Sequence, residues 1–147
     1  MPGKMIDSKK CISYLTIENK GVIALEFRDA IGTRIYGCDD CQLVCPFNDS
    51  APETKEDDFQ LREFLVNRPL LELYNWSEND FYKFTQGSAI RRIGYISWLR
   101  NITIAIGNSP ANKQNISALK NKNLEFKDNE LMLEHIDWAL NKQQLRL

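Results

Sequence analysis

Four cysteines, Cys11, Cys38, Cys41 and Cys45, stand in the first third of a 147-residue chain, and none follows. Their pattern is Cys11-x26-Cys38-x2-Cys41-x3-Cys45-Pro46. Soft thiolates select zinc, copper(I) or iron–sulfur clusters. The two-residue gap lets one turn present two sulfurs to one centre. The x3 gap followed by proline reproduces the end of the bacterial ferredoxin run C-x2-C-x2-C-x3-C-P, whose last cysteine ligates the neighbouring cluster. Proline at that point ends helical continuation and turns the chain away. On this spacing Cys11, Cys38 and Cys41 hold one 4Fe–4S cubane and Cys45 reaches towards a second. An all-cysteine zinc site and a redox C-x-x-C compete with that reading. A zinc ribbon has two C-x2-C knuckles where this chain has one, and no strand pattern precedes Cys38 as a thioredoxin-like motif requires. The proline-marked spacing favours iron–sulfur. Two complete clusters take eight thiolates, and this sequence offers four. Either a partner supplies the rest or the sequence is part of something longer.

Other residues carry weaker signals. Arg91, Arg92 and Arg100 are expected on one long helix, where they could hold RNA phosphates and so orient a nucleic acid; ion pairing between helices is the competing role. Lys113, Lys120, Lys122 and Lys127 read as solvated lysines that add to the local field. Trp76, Trp98 and Trp138 could stack unpaired bases, but their helical spacing points to core packing. His135 is the sole histidine and is expected on a solvent-exposed helix face. Asp39 and Asp40 lie between the cysteines, where turn and helix-start roles are expected.

These residues need elements to hold them. Hydrophobic residues make up 43% of the chain and charged residues 27%, enough for a packed core and against wholesale disorder. No apolar run reaches the ~18 residues of a membrane helix. The start has no apolar leader segment, so a reducing cytoplasm is expected. Residues 1–49 carry 6 basic and 7 acidic side chains, residues 50–83 carry 4 and 8, and residues 84–147 carry 9 and 5. An anionic partner would therefore meet the C-terminal part.

The first part reads as short helical turns, one from about Cys11 stopped by Gly21 and one over ALEFRDAI stopped by Gly32. Between the cysteines there is too little apolar side chain for an ordinary core, which calls for a metal or cluster staple. NDSAPETKEDD reads as a loop. Helices then recur. One starts after Arg68-Pro69, and one is capped by Ser77 with Asp80 three residues on. A long one, from about Ala89 to Ile106, is apolar on two faces, hence sandwiched, and ends at Gly107. Another follows Ser109-Pro110, and the last is capped by Asp128 or Asn129. The expected fold is mainly α: a partial ferredoxin-like iron–sulfur segment (1–49), an acidic linker (50–62) and stacked helical hairpins of the HEAT type (63–147).

The stretches CISYLTIENKG, RIYGCDDCQLVCPFN, GSAIRRIGYISWLRN and AIGN resemble the C-terminal part of the epoxyqueuosine reductases. The resemblance runs from about Asp7 to near the C-terminus. Those enzymes reduce epoxyqueuosine to queuosine at the wobble position of certain tRNAs, using cobalamin and two 4Fe–4S clusters. The resemblance implies that Cys11, Cys38 and Cys41 bind one cluster and Cys45 completes the other. It implies tRNA as partner and transfers no catalytic residue, because the family's proton-donating acid lies in the N-terminal cobalamin domain, which this sequence does not match. A split, truncated or late-initiated gene product is expected, inactive alone, whose remaining ligands and cobalamin domain come from a separate polypeptide. An electron-transfer subunit that completes its clusters with a partner chain, and a non-enzymatic RNA-binding remnant, are the alternatives.

Overall fold

A computed structural model describes residues 7–57 and 66–147. Among them all regular structure is helical. After a 3-10 turn at Ser8–Lys10 come α1 (Ile12–Ile17), α2 (Leu25–Ile31) and α3 (Asp40–Leu43). The later part holds α4 (Leu70–Tyr74), α5 (Glu78–Phe84), a 3-10 turn at Ala89–Ile93, α6 (Tyr95–Asn108), α7 (Lys113–Glu125) and α8 (Glu130–Gln144). No helix of the described residues is long and apolar enough to cross a membrane. The expected linker beyond Asp57 and the helical start at Glu63 lie outside the described residues.

Local signals set several ends where expected. Ser77 Oγ accepts from the Asp80 amide while the Asp80 carboxylate accepts from the Ser77 amide, a complete capping box. Asn129 caps α8 through the Met132 amide, and Gly32 ends α2. Three expectations are corrected. The stretch from Ala89 is not one helix: Gly94 takes φ +77°, a left-handed conformation that breaks the 3-10 turn from α6 and that glycine adopts without strain. Arg91 and Arg92 therefore sit on the turn, away from Arg100. Gly107 does not stop α6, which runs on to Asn108. A Cβ there would stand 2.5 Å from Trp138 Cζ3, so the missing side chain lets α8 approach α6 closely. And α1 ends at Ile17, ahead of Gly21.

The core is built around α6, of whose 14 residues only Ile96 and Asn108 are not buried. One side packs Trp98, Leu99, Ile102 and Ile106 against Leu73, Tyr74, Phe81, Leu119, Met132 and Ile136 from α4, α5, α7 and α8. Trp76 stacks on Trp98 at 5.7 Å between ring centroids, so these two indoles are core side chains. The other side offers Ile104 to Leu15, Ile23 and Ile31. The cysteine-bearing part and the helical part thus share apolar contacts through α6.

His135, expected in solvent, is fully buried in that joint. Its Nδ1 donates to the Leu131 carbonyl at 2.7 Å, and its Nε2 accepts from the Ile23 amide at 3.2 Å. The ring is therefore neutral, and burial pushes its pKa down to about 4. Arg28 closes the same joint, donating to the Ile23 carbonyl at 2.7 Å and to Glu134 at 2.6 Å. Lys122 is buried rather than solvated, lying over the Tyr74 and Phe126 rings and pairing with Glu125.

Two effects on stability are expected. The folded pKa of His135 lies below the unfolded value of about 6.5, so the unfolded chain takes the proton first as pH falls. The contribution is whole above that value and is lost as pH drops towards about 4. Urea unfolding should show roughly 2–3 kcal/mol less stability at pH 4.5 than at pH 7, with a flatter dependence in His135→Gln. Gly107→Ala should destabilise by about 1–3 kcal/mol at either pH, because overpacking against Trp138 outweighs the ~1 kcal/mol helix-propensity gain.

Candidate functional site

The cysteines occupy two arms. Cys11 is the N-cap residue of α1, and its carbonyl accepts from the Leu15 amide at 2.9 Å. The second arm runs from Ile35 to Cys38 and leads into α3, which carries Cys41. Side chains of α1 tie this arm down. Ser13 Oγ accepts from the Cys38 amide at 3.0 Å and donates to the Cys38 carbonyl at 3.2 Å. Thr16 Oγ1 accepts from the Gly37 amide at 3.0 Å and donates to the Ile12 carbonyl at 2.8 Å. Gly37 takes φ +73°, which turns the chain so that both amides face α1. The Cys11 and Cys38 backbones are thereby fixed to one helix. Ser13 and Thr16 went unremarked in the sequence; their hydroxyls at i and i+3 directly after Cys11 were the available signal.

The turn beyond is looser. Asp39 is the N-cap residue of α3, and its carbonyl accepts from the Gln42 and Leu43 amides at 2.8 and 2.9 Å. Asp40 forms a two-pronged pair with Arg34 at 2.8 and 2.9 Å. Both acids stand at the start of α3 as expected, but the Asp39 side chain makes no capping hydrogen bond and the Asp40 carboxylate goes to Arg34. Cys45 follows the end of α3, and its carbonyl accepts from the Asn48 amide at 2.9 Å. Arg34, Tyr36, Cys38, Asp40 and Leu43 line an open cavity of about 340 Å³. Leu43, Val44 and Phe47 are 78%, 80% and 89% exposed beside Cys45.

All four cysteines are free thiols; Cys41 is exposed and the other three are half-buried. Their chemistry fits iron–sulfur ligation. Among the described residues no three histidine, cysteine or acidic side chains converge to hold a single ion.

The three arginines part company. Arg91 and Arg92 are exposed. Arg91 lies over the Tyr82 ring at 5.2 Å and donates to the Tyr82 carbonyl, while Arg92 pairs with Glu18. Arg100 is wholly buried. Its guanidinium donates to the Asn19 and Gly21 carbonyls at 2.7 Å each and to the Leu15 carbonyl at 3.0 Å. Burial lowers its pKa to about 10, which leaves it charged at neutral pH. It cannot reach a phosphate, and the expectation of RNA contact is corrected for this residue: three backbone carbonyls from the far part of the chain enclose it. Sequence distance hid this, since those carbonyls lie 79 to 85 positions away.

Fold and thiol pattern together define a helical protein with a 4Fe–4S-type ligand segment. Residues 1–48 match the family described as 4Fe-4S double cluster binding domain. The epoxyqueuosine reductase of Francisella cf. novicida is 75% identical over 144 residues, which are 98% of this chain and 40% of that protein. The enzyme of the same name from Shewanella oneidensis is 55% identical over 139 residues, 95% of this chain and 35% of that protein. A solved epoxyqueuosine reductase, in complex with a tRNA-Tyr epoxyqueuosine-modified stem loop, superimposes with TM-score 0.82 at 27% identity over 95% of this chain and 36% of its own. The Bacillus subtilis enzyme superimposes with TM-score 0.78 at 28% identity, over 95% of this chain and 37% of its own. Over nearly its whole length the chain is similar to the C-terminal part of epoxyqueuosine reductases. It spans about two fifths or less of the length of these relatives.

The different settings of the arginines have a direct test. Arg100→Met should cost more than about 2 kcal/mol in urea unfolding, because it leaves buried carbonyls without donors. Arg91→Ala should stay within about 0.5 kcal/mol of wild type, as expected for a surface substitution.

Proposed function

We propose that this chain is the iron–sulfur and tRNA-contacting portion of an epoxyqueuosine reductase. The observation that carries this is the docking of Cys38 onto α1 through Ser13, in a segment matching a 4Fe–4S double-cluster family. Cys11, Cys38 and Cys41 hold three corners of one cubane, and Cys45 is one ligand of a second. When bound, such clusters supply one-electron transfer. The chain's own residues hold the ligand backbones and bind RNA. Cobalamin and the other four thiolates belong, in this reading, to polypeptide outside these residues. Reduction of epoxyqueuosine then needs that polypeptide as well.

Anaerobic reconstitution followed by iron and sulfide analysis should give at most about one cubane, four irons, per chain. Replacing Cys38 or Cys41 by serine should abolish it, and Cys45→Ser should leave it. Two stable cubanes on this chain, or turnover of epoxyqueuosine-containing tRNA without a cobalamin-binding polypeptide, would sink the reading.

For RNA, the solved relative with a tRNA stem loop makes tRNA the proposed partner. We assign that contact to Arg91 and Arg92, which are exposed; among the described residues Arg91 engages a carbonyl and an aromatic face, and Arg92 is held by an exposed acid. Binding of a tRNA anticodon stem loop should weaken steeply with salt. Replacing Arg91 and Arg92 by alanine together should lower the slope of log K against log salt by about 1–2, near 0.9 for each phosphate no longer neutralised. An unchanged slope would assign both residues to the protein surface alone.

A further inference from the structure

Adjacent residues in the middle of α6 hold both cysteine arms. Asn101 is fully buried, and its Nδ2 donates to the Thr16 carbonyl at 2.8 Å and to the Ile35 carbonyl at 2.9 Å. The first carbonyl is near the end of α1, whose N-cap is Cys11; the second opens the arm that ends at Cys38. One amide group thus bridges the two arms. Asn101 has its own orientation fixed, because its Oδ1 accepts from Arg100 Nε at 3.1 Å and Nη2 at 2.9 Å. The same guanidinium gathers the Leu15, Asn19 and Gly21 carbonyls, where α1 ends and the following loop begins. Its partners are carbonyls and an amide rather than a carboxylate, so its geometry is set by backbone positions. From α1 itself, Ser13 and Thr16 fasten Gly37 and Cys38.

We propose that Arg100 and Asn101 are positioning residues for the iron–sulfur ligands, setting the separation of the Cys11 and Cys38 backbones from within the helical core. This rests on the proposed cluster ligation and adds a role for α6 in it. None of their side-chain hydrogen bonds goes to a cysteine. They act through α1 and the Ile35–Cys38 arm, as outer partners of metal ligands do elsewhere. The buried position of the pair, between Leu99 and Ile102 of the core, gives the arms a rigid reference that the exposed α3 turn lacks.

The test compares the reconstituted 147-residue chain with Asn101→Asp, Arg100→Met, Arg100→Lys and Ser13→Ala. Met132→Ala serves as a control, a core truncation on α8 that takes part in none of the side-chain bonds to either arm. Iron and sulfide content, the rate of iron loss to a chelator and the electron paramagnetic resonance spectrum of the reduced cluster are measured. The thermal midpoint of the metal-free chain is measured beside them. Asn101→Asp, Arg100→Met and Ser13→Ala should lose iron at least about tenfold faster and shift the resonance spectrum, in line with the 10–100-fold effects of outer partners. Arg100→Lys should recover part of the retention, because its ammonium keeps the charge but reaches fewer carbonyls. Met132→Ala should lower the thermal midpoint yet leave iron loss within about twofold of wild type. Wild-type retention and spectrum in Asn101→Asp and Ser13→Ala would overturn the proposal. So would equally fast loss in Met132→Ala, which would reduce the effect to general stability. A wild-type chain that takes up no iron overturns the cysteine reading itself, a different and visible failure.

Discussion

The constraint on which this structure depends is the enclosure of α6. A helix with apolar side chains all round must be covered on every side, and 12 of its 14 residues are buried. The later helices cover one side through Trp98, Leu99 and Ile102. The remaining side takes α1, α2 and the loop between them, which is why a segment with little apolar content of its own can hold a defined shape. Covering α6 also buries Ser97, Arg100, Asn101 and Thr103. Buried polar groups must be paired, and Arg100 and Asn101 find their partners among the carbonyls of the cysteine-bearing arms. Apolar burial and polar pairing therefore pull the same two parts together.

The joint has a second centre at His135 and Arg28. Ile23 links them: its amide donates to the imidazole and its carbonyl accepts from Arg28. With the Arg100 clamp on the Gly21 carbonyl, the Gly21–Ile23 stretch is held from both α6 and α8. This explains why a polar, glycine-containing loop lies against the core and why the only histidine in the chain is a structural one.

What could be read from the sequence was what short range decides. The capping box at Ser77, the Asn129 cap and the stop at Gly32 depend on neighbours within a few residues. The x2 and x3 gaps after Cys38 are short-range signals too, and the match of residues 1–48 to a 4Fe-4S double cluster binding family agrees with the chemistry they suggested. What was missed depends on partners far along the chain. Gly107 looked like a helix end by local rule, but its role is to admit Trp138. Arg100 looked like a surface arginine, because nothing near it announces carbonyls 79 or more positions away. His135 sat among charged neighbours, and its partner, the Ile23 amide, lies 112 positions away. The break at Gly94 was present in the sequence; the apolar residues on either side masked it.

Stability is unevenly distributed along this chain. Cys11 and Cys38 are tied to a helix that is itself clamped to the core, while Cys41 and Cys45 lie on a four-residue helix and its exit, flanked by exposed Leu43, Val44 and Phe47. Opening of that last turn would break few buried contacts, so its local unfolding free energy falls well below that of α6. Of the three thiolates proposed to hold one cluster, Cys11 and Cys38 therefore stand on backbone already fixed to the core, and Cys41 on the segment that opens most readily.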